Sequence, residues 1–322
     1  MGAERLVPRL AAAALLIAIA ACRAAPPPAD DALQSATMRV GNVERSYHLY
    51  VPTDAPGRVP LVMVFHGGLG DGLKVARQTR FHALGATRGF AVVYPDSVEH
   101  WGDGRSETSR YAEGDIAFVR ALAERLVRDG KVDPRRVFAT GASNGGMFTL
   151  RLACEANDLF AGFAAVIASF PADYVGRCNP ARPVPVMLIN GTDDRLIKWE
   201  GGEIPSGRER GVGGRVIPVR ETVAFWRQHN GCASRPETEA LPDHEPADGT
   251  VVELERYHDC RAPGEVILMR IVGGGHTWPD SALEPPAIVS RIMGNVSRDV
   301  NGAEIVWHFF ALLSRGPSSD AH

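Results

Sequence analysis

The sequence lacks an excess of charge of either sign, and it contains very few lysines. Its 35 basic and 38 acidic side chains leave a formal net charge of −3. That balance gives no reason to expect nucleic acid or an acidic surface as a partner. Three lysines stand beside 32 arginines, and the arginines are scattered along the chain. We interpret this bias as a coding preference and not as a phosphate-binding function.

No apolar run is long enough to span a bilayer. The run at residues 10–21 has the length of a signal-peptide core and follows two arginines. It ends in Ala20-Ala21-Cys22, which resembles a bacterial lipobox. We therefore expect residues 1–21 to be a lipoprotein-type signal peptide, Cys22 to carry the lipid, and residues 22–36 to be a disordered tether. Simple export with an incidental cysteine is the alternative, and in both cases the protein leaves the cytoplasm.

The sequence also lacks the ligand spacings of a zinc site, since no C-x-x-C or Cys/His pattern is present. No metal ion and no organic cofactor is implied.

An even number of cysteines remains beyond Cys22, which in an exported protein predicts two disulfides. Spacing alone permits three pairings, and sequential pairing would close loops of about 25 residues, worth roughly 3 kcal/mol each. The four residues are Cys154, Cys178, Cys232 and Cys260.

Short apolar runs alternate with helical patterns along the chain, and we find no internal repeat. This alternation predicts an α/β protein with a mostly parallel central sheet and helices on both faces. We expect one catalytic domain at residues 37–316, followed by a tail at 317–322. Within it, residues 46–51 are predicted as an edge strand and 233–250 as a surface loop. The other predicted strands cover residues 61–65, 90–94, 136–140, 163–168, 184–189 and 266–272, and the predicted helices cover 114–128, 218–229 and 303–313.

One serine lies between two glycines where a strand should turn into a helix. The motif is Gly141-Ala142-Ser143-Asn144-Gly145, between an apolar run at 135–140 and a helical pattern at 147–154. Strand, sharp turn and helix are the context of a nucleophile elbow. Side chains at the two glycine positions would collide with neighbouring backbone in so tight a turn. The motif therefore predicts Ser143 as a nucleophile.

A serine hydroxyl needs a base, and the base needs an acid that fixes its tautomer. The expected chain order is serine, acid, histidine. Asp193 and Asp194 follow the strand at 184–189, and His276 follows the strand at 266–272. We predict His276 as the base, while the residues alone do not separate Asp193 from Asp194. Other histidines fall on helices or polar loops with no strand to deliver them, among them His82, His100, His229 and His244.

Acyl transfer also requires two donors for the oxyanion. The backbone N–H of Asn144, directly after the serine, is the first candidate. The second is the Gly68 amide, because His66-Gly67-Gly68 follows an early strand at the expected place. A plain glycine turn is the alternative interpretation of this segment.

Taken together, these motifs resemble the secreted polyhydroxybutyrate depolymerase and feruloyl esterase family of α/β hydrolases, of the carbohydrate esterase family 1 type. The resemblance covers residues 40–313 and implies an α/β-hydrolase fold and ester hydrolysis through an acyl-enzyme. The motif Gly-Thr-x-Asp of that family favours Asp194 as the acid. The family also pairs a cysteine like Cys154 with a later one, and Cys232 with Cys260. The sequence blocks that carry the resemblance are Val132-Asp133-Pro134-Arg135-Arg136-Val137, Gly141 to Met147, Phe65-His66-Gly67-Gly68, Tyr94-Pro95-Asp96, Gly191-Thr192-Asp193-Asp194 and Gly273 to Pro279.

Two departures from the family pattern bear on the substrate. Leu196-Ile197-Lys198 replaces a common Val-Pro-Tyr, and His66-Gly67-Gly68 replaces His-Gly-Cys. No separate polymer-binding domain is recognised, so small soluble esters, acylated oligosaccharides or oligoesters are favoured over insoluble polyester. No protein partner is implied. Three tryptophans beside the motif loops are predicted to line the acyl or sugar site, or else to wedge those loops in place. They are Trp101, Trp199 and Trp278.

Two other functions remain open at this point. A peptidase or amidase could use the same triad, although no acidic pair typical of a pocket for an amino terminus is recognised. A surface lipoprotein could keep the fold for binding alone. A protein that only binds would not need a nucleophile, an acid, a base and oxyanion donors together.

Overall fold

A ten-stranded sheet forms the centre of the protein in a computed structural model that describes residues 32–206, 212–283 and 287–314. Its strand order is β1-β2-β4-β3-β5-β6-β7-β12-β11-β10. The six central strands, from β4 to β12, run parallel, and two antiparallel strands flank them on each side. A separate two-stranded sheet pairs β8 with β9. The strands are β1 Gln34–Val40, β2 Val43–Tyr50, β3 Val59–Phe65, β4 Ala91–Pro95, β5 Val132–Ala142, β6 Gly162–Val166, β7 Val186–Gly191, β8 Gly202–Glu203, β9 Arg215–Val216, β10 Glu237–Ala240, β11 Val251–Tyr257 and β12 Val266–Val272.

Helices cover both faces of this sheet. Apolar residues of α3, α4 and α6 pack in one buried cluster, and those of α1, α2 and α8 pack in another. Strand β3 supplies alternate side chains to the two clusters, as a strand buried on both faces must. The helices are α1 Gly72–Thr79, α2 Phe81–Arg88, α3 Ala112–Arg128, α4 Asn144–Glu155, α5 Ala172–Val175, α6 Val219–Asn230, α7 Ala287–Met293 and α8 Gly302–Leu313, with short 3-10 helices at Ser106–Tyr111 and Pro246–Asp248.

This mostly parallel sheet with helices on both faces is the predicted α/β-hydrolase architecture. Three details of the prediction are wrong. Residues 46–51 do not form an edge strand, because β2 pairs with β1 on one side and β4 on the other. The predicted tether at 22–36 overlaps β1, whose residues from Gln34 pair with β2. The predicted loop at 233–250 contains β10, which pairs with β11.

Two disulfides lie near the carboxyl ends of α4 and α6. Cys154 at the end of α4 bonds to Cys178, and Cys232 after α6 bonds to Cys260. Of the three pairings that the spacing permits, the structure has the sequential one. Within the ranges described above, no helix combines the length and apolar character needed to cross a bilayer. The predicted signal peptide, Cys22 and the tail at 317–322 lie outside the described residues.

Candidate active site

Ser143 occupies the turn between β5 and α4 in a strained conformation. Its φ of 55° places a non-glycine residue in the left-handed region, which side chains rarely adopt. Its own N–H donates to the Val166 carbonyl at 3.0 Å, so the neighbouring strand β6 holds the turn in place. A strained backbone conformation of this kind persists only where contacts with the surrounding structure hold it in place. The turn therefore has the local geometry of a nucleophile elbow.

The glycines on either side of Ser143 are required by close backbone contacts. A Cβ on Gly141 would lie 2.5 Å from the Gly145 oxygen, and a Cβ on Gly145 would lie 2.3 Å from the Phe65 oxygen. Neither position can hold a side chain without moving backbone. This confirms the collision that the sequence motif predicts, and it brings the start of α4 directly against the end of β3.

His276 and Asp194 meet at the same edge of the sheet as Ser143. Strands β5, β7 and β12 are parallel and lie close in the sheet, and each residue follows the carboxyl end of one of them. His276 Nδ1 lies 2.7 Å from Asp194 Oδ2, and both side chains are buried. Among the described residues, Nδ1 is the only ring atom of His276 with a hydrogen-bond partner. The ring is therefore oriented by the carboxylate, with Nε2 left for another group.

The two neighbouring aspartates have different environments. Asp194 Oδ1 accepts hydrogen bonds from the N–H groups of Leu196 and Ile197, each at 2.8 Å. These bonds orient the carboxylate independently of His276. Asp193 is exposed and accepts a hydrogen bond from the Thr192 hydroxyl at 3.0 Å. The geometry thus distinguishes two residues that sequence chemistry alone leaves equivalent.

The loop after β3 is held by a neutral histidine. Burial lowers the pKa of His66, so its ring carries one proton at neutral pH. Nε2 accepts the Ser97 N–H at 3.1 Å, which leaves the proton on Nδ1 to donate to the Gly67 carbonyl at 2.8 Å. This pair of bonds fixes the loop that presents Gly68 to the cavity beside Ser143.

The Asn144 side chain attaches the start of α4 to the loop at 101–105. Its Oδ1 accepts the Trp101 N–H and its Nδ2 donates to the Trp101 carbonyl, both at 2.9 Å. Nδ2 also donates to Asp103 Oδ2 at 2.6 Å, and Asp103 forms a buried ion pair with Arg105 at the same distance. The backbone amide of Asn144 begins α4 and has no partner within the helix, as for any first-turn amide. Sequence reasoning missed this anchoring role, because nothing in the local pattern points from residue 144 to residues 101–105.

A small cavity of about 40 Å³ lies beside Ser143. It is lined by Gly68, His100, Arg105 and Asn144, and by apolar side chains that include Met147 and Ile197. Leu196 and Ile197, whose amides bind Asp194, also line it. The cavity is therefore continuous with the residues that hold the acid.

The predicted substrate-binding tryptophans do not line this cavity. Trp101 is 0% exposed and stacks on Phe148, with ring centroids 4.9 Å apart. Trp278 is 1% exposed and packs edge-on against Phe81. Trp199 is half-buried, within cation–π distance of two arginines. The prediction is corrected for Trp101 and Trp278, because buried rings cannot reach a ligand and the alternative of wedging the loops fits both. The role predicted for Trp199 stays a prediction.

Known esterases resemble this chain in sequence. Residues 45–171 match the family model described as esterase PHB depolymerase. A protein named as an esterase, NocK from Nocardia uniformis subsp. tsuyamanensis, is 31% identical over 295 residues, which are 88% of this chain and 84% of that protein. This chain belongs to the PHB depolymerase esterase family. As a member of that family it is an enzyme, a carboxylic ester hydrolase.

Other relatives match over a part of this chain or in fold alone. Feruloyl esterase B of Piromyces equi is 28% identical over 173 residues, which are 52% of this chain and 30% of that protein. The structure of an acetyl xylan esterase from Aspergillus awamori covers 87% of this chain and 98% of its own at 18% identity, with a TM-score of 0.59. That likeness shows the shared α/β-hydrolase fold. Among the described residues of this chain, no group of three metal-ligating side chains comes together.

Proposed function

We propose that this protein is an exported serine esterase that forms an acyl-enzyme on Ser143. The observation that carries the proposal is the 2.7 Å hydrogen bond between His276 Nδ1 and Asp194 Oδ2 at the sheet edge where Ser143 sits in its elbow. A serine, an ordered histidine and a fixed carboxylate are the three groups that activate a hydroxyl for acyl transfer. Membership of an esterase family supports the same reaction.

In the first half-reaction Ser143 Oγ attacks the ester carbonyl carbon and His276 Nε2 takes its proton. The carbonyl oxygen becomes an oxyanion, which the amides of Gly68 and Asn144 stabilise. Collapse of the tetrahedral intermediate breaks the bond to the alcohol oxygen, and His276 returns its proton to that oxygen. The alcohol leaves and the acyl group stays on Ser143.

In the second half-reaction water takes the place of the alcohol. His276 removes a proton from the water as it attacks the acyl carbon, and the same amides hold the new oxyanion. The intermediate expels Ser143 Oγ, which regains its proton from His276, and the carboxylic acid is released. Asp194 stays ionised throughout and keeps the histidine proton on Nδ1.

The cavity favours a short acyl group. Its volume of about 40 Å³ corresponds to roughly three water-sized positions. An acetyl group has only a methyl carbon beyond its carbonyl and fits such a space. Apolar side chains such as Met147 and Ile197 around it suit a methyl group. We therefore place acetyl esters ahead of feruloyl and polyhydroxybutyrate-oligomer esters as the substrate type.

A panel of substrates tests this function. We expect the rate with p-nitrophenyl acetate to exceed that with p-nitrophenyl butyrate, methyl ferulate and a 3-hydroxybutyrate trimer, measured as kcat/KM on the wild type. The p-nitroanilide of acetic acid should be cleaved far more slowly. Preference for the anilide would favour a peptidase or amidase, and no cleavage of any member would favour a binding protein.

Export is supported by the two disulfides, which persist in oxidising compartments and are rare in the cytosol. We propose a cell-envelope lipoprotein held to the membrane through Cys22 alone. Intact-mass analysis of the mature protein should find Cys22 as the first residue, carrying a diacylglyceryl group. An unmodified Cys22 would contradict the lipid anchor and leave simple export as the route.

A further inference from the structure

A buried ion pair lies beside the cavity at Ser143. Asp103 is 0% exposed and Arg105 is 3% exposed, and Arg105 also lines the cavity. The guanidinium contacts both carboxylate oxygens, through Nη2 at 2.6 Å and through Nε at 2.9 and 3.1 Å. A buried ion pair is weak evidence for stability, because removal of two charges from water can cost more free energy than their attraction returns. The other contacts of this pair indicate a different role.

Asp103 attaches the pair to the start of α4. Its Oδ2 accepts a hydrogen bond from Asn144 Nδ2 at 2.6 Å, and its Oδ1 accepts one from the Thr108 hydroxyl at 2.8 Å. Asn144 follows the proposed nucleophile, and its backbone amide is a proposed oxyanion donor. The carboxylate is thus fixed relative to the part of the cavity where the substrate carbonyl would lie.

Arg105 attaches the pair to another part of the cavity lining. Its Nη1 donates to the carbonyls of Val212 at 2.9 Å and Gly213 at 2.5 Å. Val212 is itself one of the residues that line the cavity. One guanidinium therefore binds both the carboxylate beside Asn144 and a second part of the lining.

This second part of the lining includes Ile204. The Ile204 N–H donates to the Gly214 carbonyl at 2.8 Å, and Ile204 lines the cavity. We call Ile204 and residues 212–214 the β8–β9 wall, because Ile204 follows β8 and residues 212–214 precede β9. A Cβ on Gly214 would lie 2.7 Å from Arg105 Cδ, so the wall lies directly against the stem of the arginine. The position of the β8–β9 wall therefore depends on Arg105.

The position of this wall limits the space at Ser143. Ile204 and Val212 are apolar and line a cavity of only about 40 Å³, so a displacement of the wall away from Ser143 would add apolar volume. Added apolar volume favours longer acyl chains, since each buried CH₂ group gains binding free energy. A wall that is held by hydrogen bonds to a fixed guanidinium keeps this volume small.

We propose that Asp103 and Arg105 form a positioning pair that restricts the acyl group of the substrate to short chains. The pair acts through the β8–β9 wall and makes no contact with the substrate. This inference rests on the proposed esterase function, in which the acyl group occupies the cavity. A pair with only a structural role would stabilise the fold without affecting the choice among acyl chains, and this difference is measurable.

The double variant Asp103→Asn/Arg105→Met tests the proposal. It removes both charges together, so that no unpaired charge stays buried, and the asparagine keeps an oxygen for Asn144 Nδ2. Methionine keeps an apolar stem but donates no hydrogen bond to the wall. We expect the ratio of kcat/KM for p-nitrophenyl butyrate to that for p-nitrophenyl acetate to rise about tenfold over the wild type, the gain from burying two further CH₂ groups.

Three single variants control the interpretation. Val212→Ala trims the wall directly with the pair intact and should also raise the ratio. Arg105→Lys keeps a positive charge beside Asp103 but has a single ammonium group for the carboxylate and the two wall carbonyls, so its ratio should be intermediate. Arg220→Met is the matched control, because Arg220 pairs with the buried Glu255 and neither residue lines the cavity. This variant should keep the wild-type ratio, and thermal unfolding of every variant records stability separately.

The outcomes separate this inference from the proposed function. An unchanged ratio in the double variant would overturn the role of the pair and leave the esterase function standing, even if the thermal stability falls. If the double variant yields no folded protein, the ratio in Arg105→Lys decides by the same criterion. An unchanged ratio in Val212→Ala, or an equal rise in Arg220→Met, would also overturn the role of the pair. A wild type that hydrolyses neither ester would overturn both proposals together.

Discussion

Replacing Asp194 by asparagine should lower kcat for ester hydrolysis by about 10⁴-fold, as loss of the orienting carboxylate does in a serine triad. The new side-chain amide would keep an oxygen for the N–H groups of Leu196 and Ile197, so the loop after β7 should hold its shape. The NH₂ group of the asparagine would donate a hydrogen bond to His276 Nδ1, so that nitrogen would have to be unprotonated. The proton would then sit on Nε2, which could no longer act as a base. Steady-state kinetics with p-nitrophenyl acetate measures this loss.

The neighbouring residue supplies the control. Asp193→Asn changes an exposed side chain that bonds only to Thr192 among the described residues. It should alter kcat by no more than about threefold, which is typical of a surface substitution. Both variants should keep the wild-type circular dichroism spectrum. A greater loss with Asp193→Asn than with Asp194→Asn would exchange the two assignments.

Ser143→Ala should lower kcat by at least about 10⁴-fold, because no other group in the site can form the acyl-enzyme. Stability should change little, since alanine keeps the same Cβ at φ 55°. Hydrolysis rates and thermal unfolding curves of the same preparation measure both effects. Ser234→Ala, an exposed serine before β10, is the matched control and should keep full activity. Retained hydrolysis by Ser143→Ala would remove the proposed mechanism.

The centre of the fold could be predicted because its strands are buried on both faces. Strands β3 and β12 are nearly continuous apolar runs, and such runs are visible in sequence without knowledge of their neighbours. The edge strands were missed for the opposite reason. All four residues of β10 are exposed and polar or small, so their pattern resembles a loop. Strand β1 has only half-buried or exposed side chains and begins inside the predicted tether.

The catalytic residues could be proposed from sequence because each follows a strand whose carboxyl end lies at one edge of the sheet. Chain order and motif place Ser143 and His276 without coordinates. The family motif favours Asp194, whereas the residues alone do not separate it from Asp193. The function of the loop at 96–105 could not be predicted. Its contacts with Asn144 join residues far apart in the chain, and no local spacing encodes them.

The substrate-binding prediction was wrong for Trp101 and Trp278, because the local sequence does not show whether a ring is exposed or buried. A tryptophan beside a catalytic loop can present its ring to substrate or bury it beneath the loop, and both choices use the same local sequence. Trp101 and Trp278 fill the space under the loops that hold the site. The small cavity at Ser143 is instead lined by apolar side chains such as Met147 and Ile197, and by His100, Arg105 and Asn144. Substrate selection is therefore expected from these residues.

The measurement that tests the central claim most directly is labelling by diethyl p-nitrophenyl phosphate, whose phosphorus is attacked by an activated serine with release of p-nitrophenolate. Peptide mapping after labelling should place one diethylphosphoryl group per chain on Ser143. The Ser143→Ala variant should take up none, and Asp194→Asn should react far more slowly. Absence of the label from the wild type, or its location on another residue, would contradict the proposal that Ser143 is the nucleophile.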